Sequence, residues 1–230
     1  GQIAYKGEIN LVTEYDRRSE AIIAATLAKH YPRHRILAEE GTTGGDDPDH
    51  RWIVDPLDGT SNYAHGYPCF CISIAHEYRG EIVAGVVYDP TRDEWFEAER
   101  GGGASLGGQP IRVSAAPDLL HSMLATGFPY DRDQFPDVLA RWGRFIYAAR
   151  AIRRDGAAAL DLAYVACGRF DGFWEAQLSL WDVAAGLLLV TEAGGTASHF
   201  DGRAYTLDRH DLVASNGAIH RAMLDVVNAS

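Results

Sequence analysis

Along the chain the clearest apolar pattern is Trp52-Ile-Val, a run of β-branched and aromatic residues that gives way to Asp55-Pro-Leu-Asp58-Gly59-Thr60-Ser61-Asn62-Tyr. Such residues suit a buried strand, and Pro56 lacks the donor that the next ladder step needs, so the strand is expected to stop at Asp55-Pro56. Downstream, Cys71-Ile-Ser-Ile-Ala, Ile82-Val-Ala-Gly-Val-Val-Tyr and Glu94-Trp-Phe-Glu-Ala alternate with period two, and Arg79-Gly80 and Asp89-Pro90 read as their turns. That is the pattern of an antiparallel meander. Upstream, Leu11-Val12-Thr13 predicts a short strand entering a helix capped by Asp16 or Ser19. Ile22, Ile23, Ala25, Thr26 and Leu27 form its expected buried face, and it should stop near Tyr31-Pro32. Arg35-Ile-Leu-Ala predicts a strand ending on Glu39-Glu40-Gly41, and residues 42–50 read as a mobile polar loop.

The rhythm then changes. After Leu119-Leu and Met123-Leu-Ala-Thr-Gly comes a bend rich in Asp and Pro, and a helix is expected over 138–145. Ile152-Arg-Arg-Asp155-Gly156-Ala157-Ala158 predicts a strand end, a turn and an alanine-rich helix closed by Gly168. Phe170 to Glu175 predicts another strand. Asp182 stands where the N-cap of the following apolar helix belongs, and Gly194-Gly195 ends that helix. The stretch from Asp211 through Asn216 to His220 is a last strand-to-helix unit. The shift from meander to alternating strands and helices divides the sequence into an N-terminal lobe, 1–116, and a C-terminal lobe, 117–230.

A chain of 230 residues, 47% of them hydrophobic, can bury a substantial core, and no apolar run is long enough to span a bilayer. A formal charge of -11 speaks against a nucleic-acid backbone as partner, and neither a basic cluster nor a membrane-binding segment stands out. Cys69, Cys71 and Cys167 are too few for a disulfide framework and lack zinc-site spacing, so a reducing cytoplasm is the expected home. The residues given hold no charged-then-apolar leader, so a secretory signal is not expected among them.

Asp55 and Asp58 would repel one another unless a cation sits between them. Gly59 lets backbone approach a ligand, and Thr60 or Ser61 could cap a short helix whose free N–H groups face an anion. Cation and anion cradle together suggest phosphate chemistry, although Asp-Pro and Asp-Gly are also ordinary turn dipeptides, and the residues alone leave both readings open. Glu39 and Glu40 are a second place where acids meet a turn. Gly101-Gly-Gly-Ala-Ser105-Leu-Gly107 matches a nucleophile elbow in letters, but a strand, not a helix, is expected after it, and a glycine hairpin is the better reading.

Asp55-Pro-Leu-Asp58-Gly59-Thr60-Ser-Asn62-Tyr resembles the first signature of the inositol monophosphatase family, which comprises magnesium-dependent, lithium-sensitive phosphatases. Trp181-Asp182-Val-Ala-Ala-Gly186 resembles the second. The Leu-Val-Thr opening also fits, with Asn10 where the family has aspartate, and a further N-terminal helix typical of the family is not found. The resemblance implies an α/β (α+β) fold, a layered αβαβα sandwich with one cleft between the lobes. It implies two or three Mg2+ ions held by Glu39, Asp55, Asp58, Asp182 and the Leu57 carbonyl. Oxygen donors throughout favour magnesium over zinc.

By the same resemblance Thr60, with Glu39, positions and deprotonates the attacking water, while Asp58, Gly59 and Thr60 surround the phosphate. Gly156, Ala157, Ala158 and Glu175 are expected to line the substrate's polyol or sugar ring, with Asp16 and Glu40 behind the ligands. Inositol 1-phosphate is the expected substrate. Fructose 1,6-bisphosphate, histidinol phosphate and 3′-phosphoadenosine 5′-phosphate are the alternatives, and a noncatalytic phosphate- or metal-binding scaffold is the alternative of another class. Relatives imply a homodimer.

Overall fold

The computed structural model describes residues 3–5, 11–39, 41–129 and 132–229; Asn10 and Glu40, both named above, lie outside the described residues. A short ribbon of β1 (Ile3–Tyr5) and β2 (Leu11–Thr13) leads directly into α1 (Glu14–His30). The helix ends just before Tyr31-Pro32, as expected. Its start and its buried face differ from expectation. Asp16 lies inside the first turn, and the Ser19 hydroxyl donates across space to the Pro56 carbonyl (2.9 Å) instead of capping. The inward stripe is Asp16, Ser19, Glu20, Ile23, Ala24 and Leu27, at true helical spacing, whereas Ile22, Ala25 and Thr26 are exposed.

β3 (Arg35–Ala38) pairs antiparallel with β4 (Gly41–Gly44) and parallel with β5 (His50–Asp58). The first residues of the expected polar loop are therefore an edge strand. Their Gly-Thr composition carries no apolar signal, and the open edge of β3 supplies the pairing. Nor does Pro56 end its strand. β5 continues to Asp58 through a bulge between Asp55 and Asp58, where a residue without an N–H is tolerated. The sheet continues through the expected meander, β6 (Cys71–Tyr78), β7 (Glu81–Asp89) and β8 (Glu94–Glu99), to the hairpin β9 (Gly103–Leu106) and β10 (Gln109–Pro110). Its order is β10-β9-β8-β7-β6-β5-β3-β4. Ser105 thus sits in a hairpin followed by strand, which removes the elbow reading.

The second sheet has five strands. In chain order these are β11 (Met123–Thr126), β12 (Ala151–Arg153), β13 (Gly172–Ala176), β14 (Thr196–Ser198) and β15 (Asp211–Ser215). They lie in the order β12-β11-β13-β15-β14. Four longer helices follow, α3 (Phe135–Ala148), α4 (Ala158–Ala166), α5 (Leu180–Glu192) and α6 (His220–Val227), besides a short helix, α2 (Thr60–Ala64), after β5 and two 3-10 turns at Leu119–His121 and Arg132–Gln134.

Five layers result: α1, the large sheet, the pair α4 and α5, the small sheet, and the pair α3 and α6. Three apolar clusters mark the boundaries. Ile36, Ala38 and Val54 meet α1, and Leu124, Trp174 and Val213 meet Phe145, Ile219 and Met223 on the outer helices. The largest cluster wraps α4 and α5, joining Ile53, Val87 and Phe96 of the large sheet to Phe173 and Leu212 of the small one. Because both sheets close on the same two helices, residues on either side of Ala116 share this core. The helices approach so closely that a Cβ on Gly186 would lie 2.5 Å from Leu162 Cβ. Only glycine fits there without repacking.

Candidate active site

Four acidic side chains from three parts of the chain converge at the C-terminal end of β5. Glu39 follows β3, Asp55 and Asp58 flank the bulge, and Asp182 stands in the first turn of α5. Bonds between elements hold these pieces in register. The Ser73 hydroxyl on β6, opposite Asp55, donates to the Trp181 carbonyl (3.3 Å), tying the large sheet to the start of α5. The Ala159 N–H in the first turn of α4 donates to Asp58 Oδ2 (2.7 Å), the Cys71 thiol lies 3.6 Å from the same oxygen, and the Ala158 and Leu160 amides also favour its charge. A carboxylate facing three helix-start amides is well placed electrostatically.

Asp182 is not the N-cap that the sequence suggested. Ser179 is the cap, and Asp182 completes a capping box by accepting the Ser179 N–H through Oδ2 (2.6 Å), which leaves its other oxygen available. Thr60 does not cap α2 either. Gly59 holds that position with φ of 89°, and a Cβ there would meet the Cys69 carbonyl at 2.9 Å. The Thr60 hydroxyl instead faces Asp16 Oδ1 (2.8 Å) and the Leu57 carbonyl (3.0 Å), with Asp16 itself buried at 1% exposure.

Burial acts on each of the three aspartates, and repulsion by neighbouring acids adds to it at Asp55 and Asp182. Burial, then Asp58, Glu39 and Asp182, push the Asp55 carboxyl well above the carboxylate range, although the Leu57 N–H donates to it. Burial lifts Asp58 to about 6, and burial followed by Asp58 lifts Asp182 to about 8. Glu175, at the end of β13, is raised to about 8 by burial and then by Asp182, against the pull of Arg154. Asp55, Asp58 and Asp182 each lie in a field set largely by burial and by one another's negative charge. Such a cluster ionises fully only with cations among it, and its donors are all oxygen, which fits hard divalent ions.

The remaining expected contacts lie around this group. Gly156 turns with φ of 82° beside Arg154 and Asn62, and the Asn62 amide donates to the Cys69 and Asp155 carbonyls (both 2.7 Å). Ala157 and Ala158 open α4 next to Asp58. Glu175 packs on Gly127, where a Cβ would fall 2.1 Å from its Oε2. Sequence reasoning assigned no role to Arg154 or Asp161. Asp161 is buried with Oδ1 unpartnered and is raised well above its ordinary range by burial, then by Asp155, Asp58 and Glu175. An acid on the apolar face of an alanine-rich helix was the available signal for it.

The family model described as the inositol monophosphatase family matches residues 2–230. The chain belongs to that family. Its members are phosphoric monoester hydrolases, and this chain is one of these enzymes. An inositol-1-monophosphatase of Mesorhizobium japonicum is 47% identical over 228 residues, covering 98% of this chain and 86% of the relative. The Nus factor SuhB of Pseudomonas aeruginosa is 46% identical over 222 residues, covering 94% of this chain and 82% of the relative. Among solved structures, the extragenic suppressor protein suhB from Bartonella henselae superposes with a TM-score of 0.96 at 43% identity, covering 100% of this chain and 89% of that one. An IMPase/NADP phosphatase complexed with Mg2+ and phosphate gives a TM-score of 0.87 at 27% identity, covering 100% and 87%. These neighbours establish the inositol monophosphatase fold. Among the described residues no helix is long and apolar enough to cross a membrane.

Proposed function

We propose that this enzyme is a magnesium-dependent inositol monophosphatase that hydrolyses inositol 1-phosphate to inositol and phosphate. The observation that carries the reading is the convergence of Asp55, Asp58 and Asp182 with Glu39 beside them, the three aspartates having raised proton affinities that mark a cluster built for cations. The relative complexed with Mg2+ and phosphate supports the choice of ion. Two or three ions would be held by these acids with the Leu57 carbonyl, and when bound they would supply Lewis acidity at the phosphate and lower the pKa of water.

The chain's own residues then divide the remaining work. Thr60 has its hydroxyl hydrogen committed to Asp16 or to the Leu57 carbonyl, so Oγ1 offers only lone pairs to an attacking water and fixes its orientation. Glu39, at the mouth between β3 and β5, accepts that water's proton. The Gly59 and Thr60 amides at the start of α2 bind phosphate oxygens, with Asp58 beside them. Glu175, Gly156, Ala157 and Ala158 form the wall against which the substrate ring rests, and Asp16 supports the ligands from behind. Burial favours the neutral form of Glu175, and a carboxyl that keeps its proton both donates and accepts, which suits a ring hydroxyl.

The test is phosphate release from inositol 1-phosphate, fructose 1,6-bisphosphate, histidinol phosphate and 3′-phosphoadenosine 5′-phosphate, run alongside Glu175→Gln. A preference for inositol 1-phosphate that Glu175→Gln weakens through KM supports the assignment. Preference for another ester replaces the substrate. A second reading comes from the relative named as a Nus factor: the chain also serves as a partner in a complex, as a homodimer or with another protein. A catalytically silent variant that retains that association would separate the two roles.

A further inference from the structure

At the opposite end of β5 from the carboxylates, three histidines from distant parts of the sequence meet on the outer face of the large sheet. His34 precedes β3, His50 opens β5 and His76 lies in β6. Parallel pairing of Arg35 with Arg51 sets His34 beside His50, and antiparallel pairing of Trp52 with His76 places His76 diagonally across from His50. One ring nitrogen from each lies within 4.8 Å of the other two. His50 Nδ1 and His76 Nε2 are already 3.0 Å apart. All three rings are half-buried, so water reaches them.

From this juxtaposition we infer that His34, His50 and His76 form a binding site for a borderline transition-metal ion, Zn2+ being the representative, separate from the carboxylate centre. Three imidazoles with an open position suit Zn2+, Ni2+ or Cu2+ and do not suit Mg2+. A tetrahedral ion with bonds of about 2.1 Å needs its ligand nitrogens about 3.4 Å apart. The His50–His76 pair, at 3.0 Å, is already close to that distance, and the His34 nitrogen lies within 4.8 Å of both. The rings are near-parallel, with interplanar angles of 7° and 8°, so their nitrogens do not yet converge on a point. Turning half-exposed rings about χ2 supplies the convergence.

The surroundings favour an ion. Trp52 Nε1–H donates to His34 Nδ1 (3.1 Å), so that ring is neutral, and an ion bound at His34 would take its lone pair in place of the indole N–H. A metal ligand must be neutral in that sense. The Asp47 carboxylate lies within electrostatic reach of His34 and His50, while Glu77, the acid nearest His76, is engaged by Arg51. No cationic side chain takes part in the ring cluster among the described residues. Occupied, the site clips together the starts of β3 and β5 and the end of β6. It lies five residues, or about 16 Å of strand, from Asp55.

The experiment uses the full chain, stripped with chelator and returned to excess Mg2+ so that the carboxylates are occupied. Zn2+ is then titrated against a chromophoric chelator. One zinc per chain at micromolar affinity or tighter is expected, weakened about tenfold or more by His50→Gln and by His76→Gln, and unchanged in Asp58→Asn. Zinc that raises Tm in the parent chain and not in the histidine variants gives a second readout. No binding, weak binding at several sites, or binding lost in Asp58→Asn but kept in the histidine variants overturns the inference. Should the variants misfold, imidazole NMR of the parent chain decides. Zinc must shift the resonances of His34, His50 and His76 together, and unmoved resonances leave the three rings a stacked aromatic cluster only.

Discussion

Replacing Asp58 by Asn should stabilise the metal-free protein while removing its response to magnesium. Burial raises the Asp58 carboxyl from 3.8 to about 6. Its folded pKa thus exceeds its unfolded value, so its stabilising contribution is complete below pH 4 and is lost as the pH rises through about 6. At pH 7 two units correspond to a cost on the order of 3 kcal/mol in the metal-free protein. Asn keeps an acceptor for the Ala159 N–H but puts an NH2 group where the second carboxylate oxygen was, and accommodating that donor gives back about 1–1.5 kcal/mol. The net gain is about 1–2 kcal/mol, or roughly 2–8 °C in Tm for a chain of this size.

Magnesium reverses the order. An ion at a hundred times its Kd adds about 2.7 kcal/mol to the parent chain, and the variant, short of one ligand charge, gains much less. Urea and thermal unfolding at pH 4 and pH 7, with chelator and then with Mg2+, would show both effects. An Asp58→Asn protein less stable than the parent in chelator at pH 7, or one that gains as much from Mg2+, would refute the picture of an acid cluster awaiting cations.

Other expectations follow from single contacts. Gly127→Ala drives a methyl group onto the Glu175 carboxylate, so KM for inositol 1-phosphate should rise about tenfold or more, with little change for a small aryl phosphate; equal effects on both would remove Glu175 from substrate binding. Gly186→Ala should cost about 1–2 kcal/mol by urea unfolding, overpacking against Leu162 outweighing improved helix propensity, and a neutral result would show that α4 and α5 are not held as closely as described. Thr60→Val should lose turnover with KM little altered while Thr60→Ser retains it, a pattern that steady-state kinetics would contradict if both variants fell together.

How far the sequence reached depended on whether an element's signal was local. The meander was legible because period-two alternation in β6, β7 and β8 is set by which face each residue buries. The edge strand Gly41–Gly44 was not, since every residue in it is exposed and only its neighbour induces it. The face of α1 was misjudged because Ile22 is apolar yet 66% exposed, while Asp16, a polar residue, faces inward to meet Thr60. Pro56 misled for a related reason: a bulge removes the demand for the N–H that proline lacks.

At the site, Asp55, Asp58 and Asp182 lie in local motifs, and the structure gathers them with Glu39. The cap at Ser179 was hidden because an acid at the third helical position imitates an N-cap in a one-dimensional reading. Asp161 and the histidine cluster share no motif at all. His34, His50 and His76 become neighbours only through strand pairing, one step parallel and one antiparallel, and no spacing rule encodes that. Chemistry carried by a signature was readable, whereas chemistry assembled by topology required the fold.

The central claim is that the acids around β5 hold magnesium for phosphate ester hydrolysis. Its most direct test is phosphate release from inositol 1-phosphate by the parent chain during a Mg2+ titration, before and after chelation, with Asp58→Asn alongside. Release that rises with Mg2+, vanishes on chelation, returns on re-addition and falls about a hundredfold or more in Asp58→Asn is the expected result. Release that persists at full rate in chelator, or that Asp58→Asn leaves intact, would contradict it.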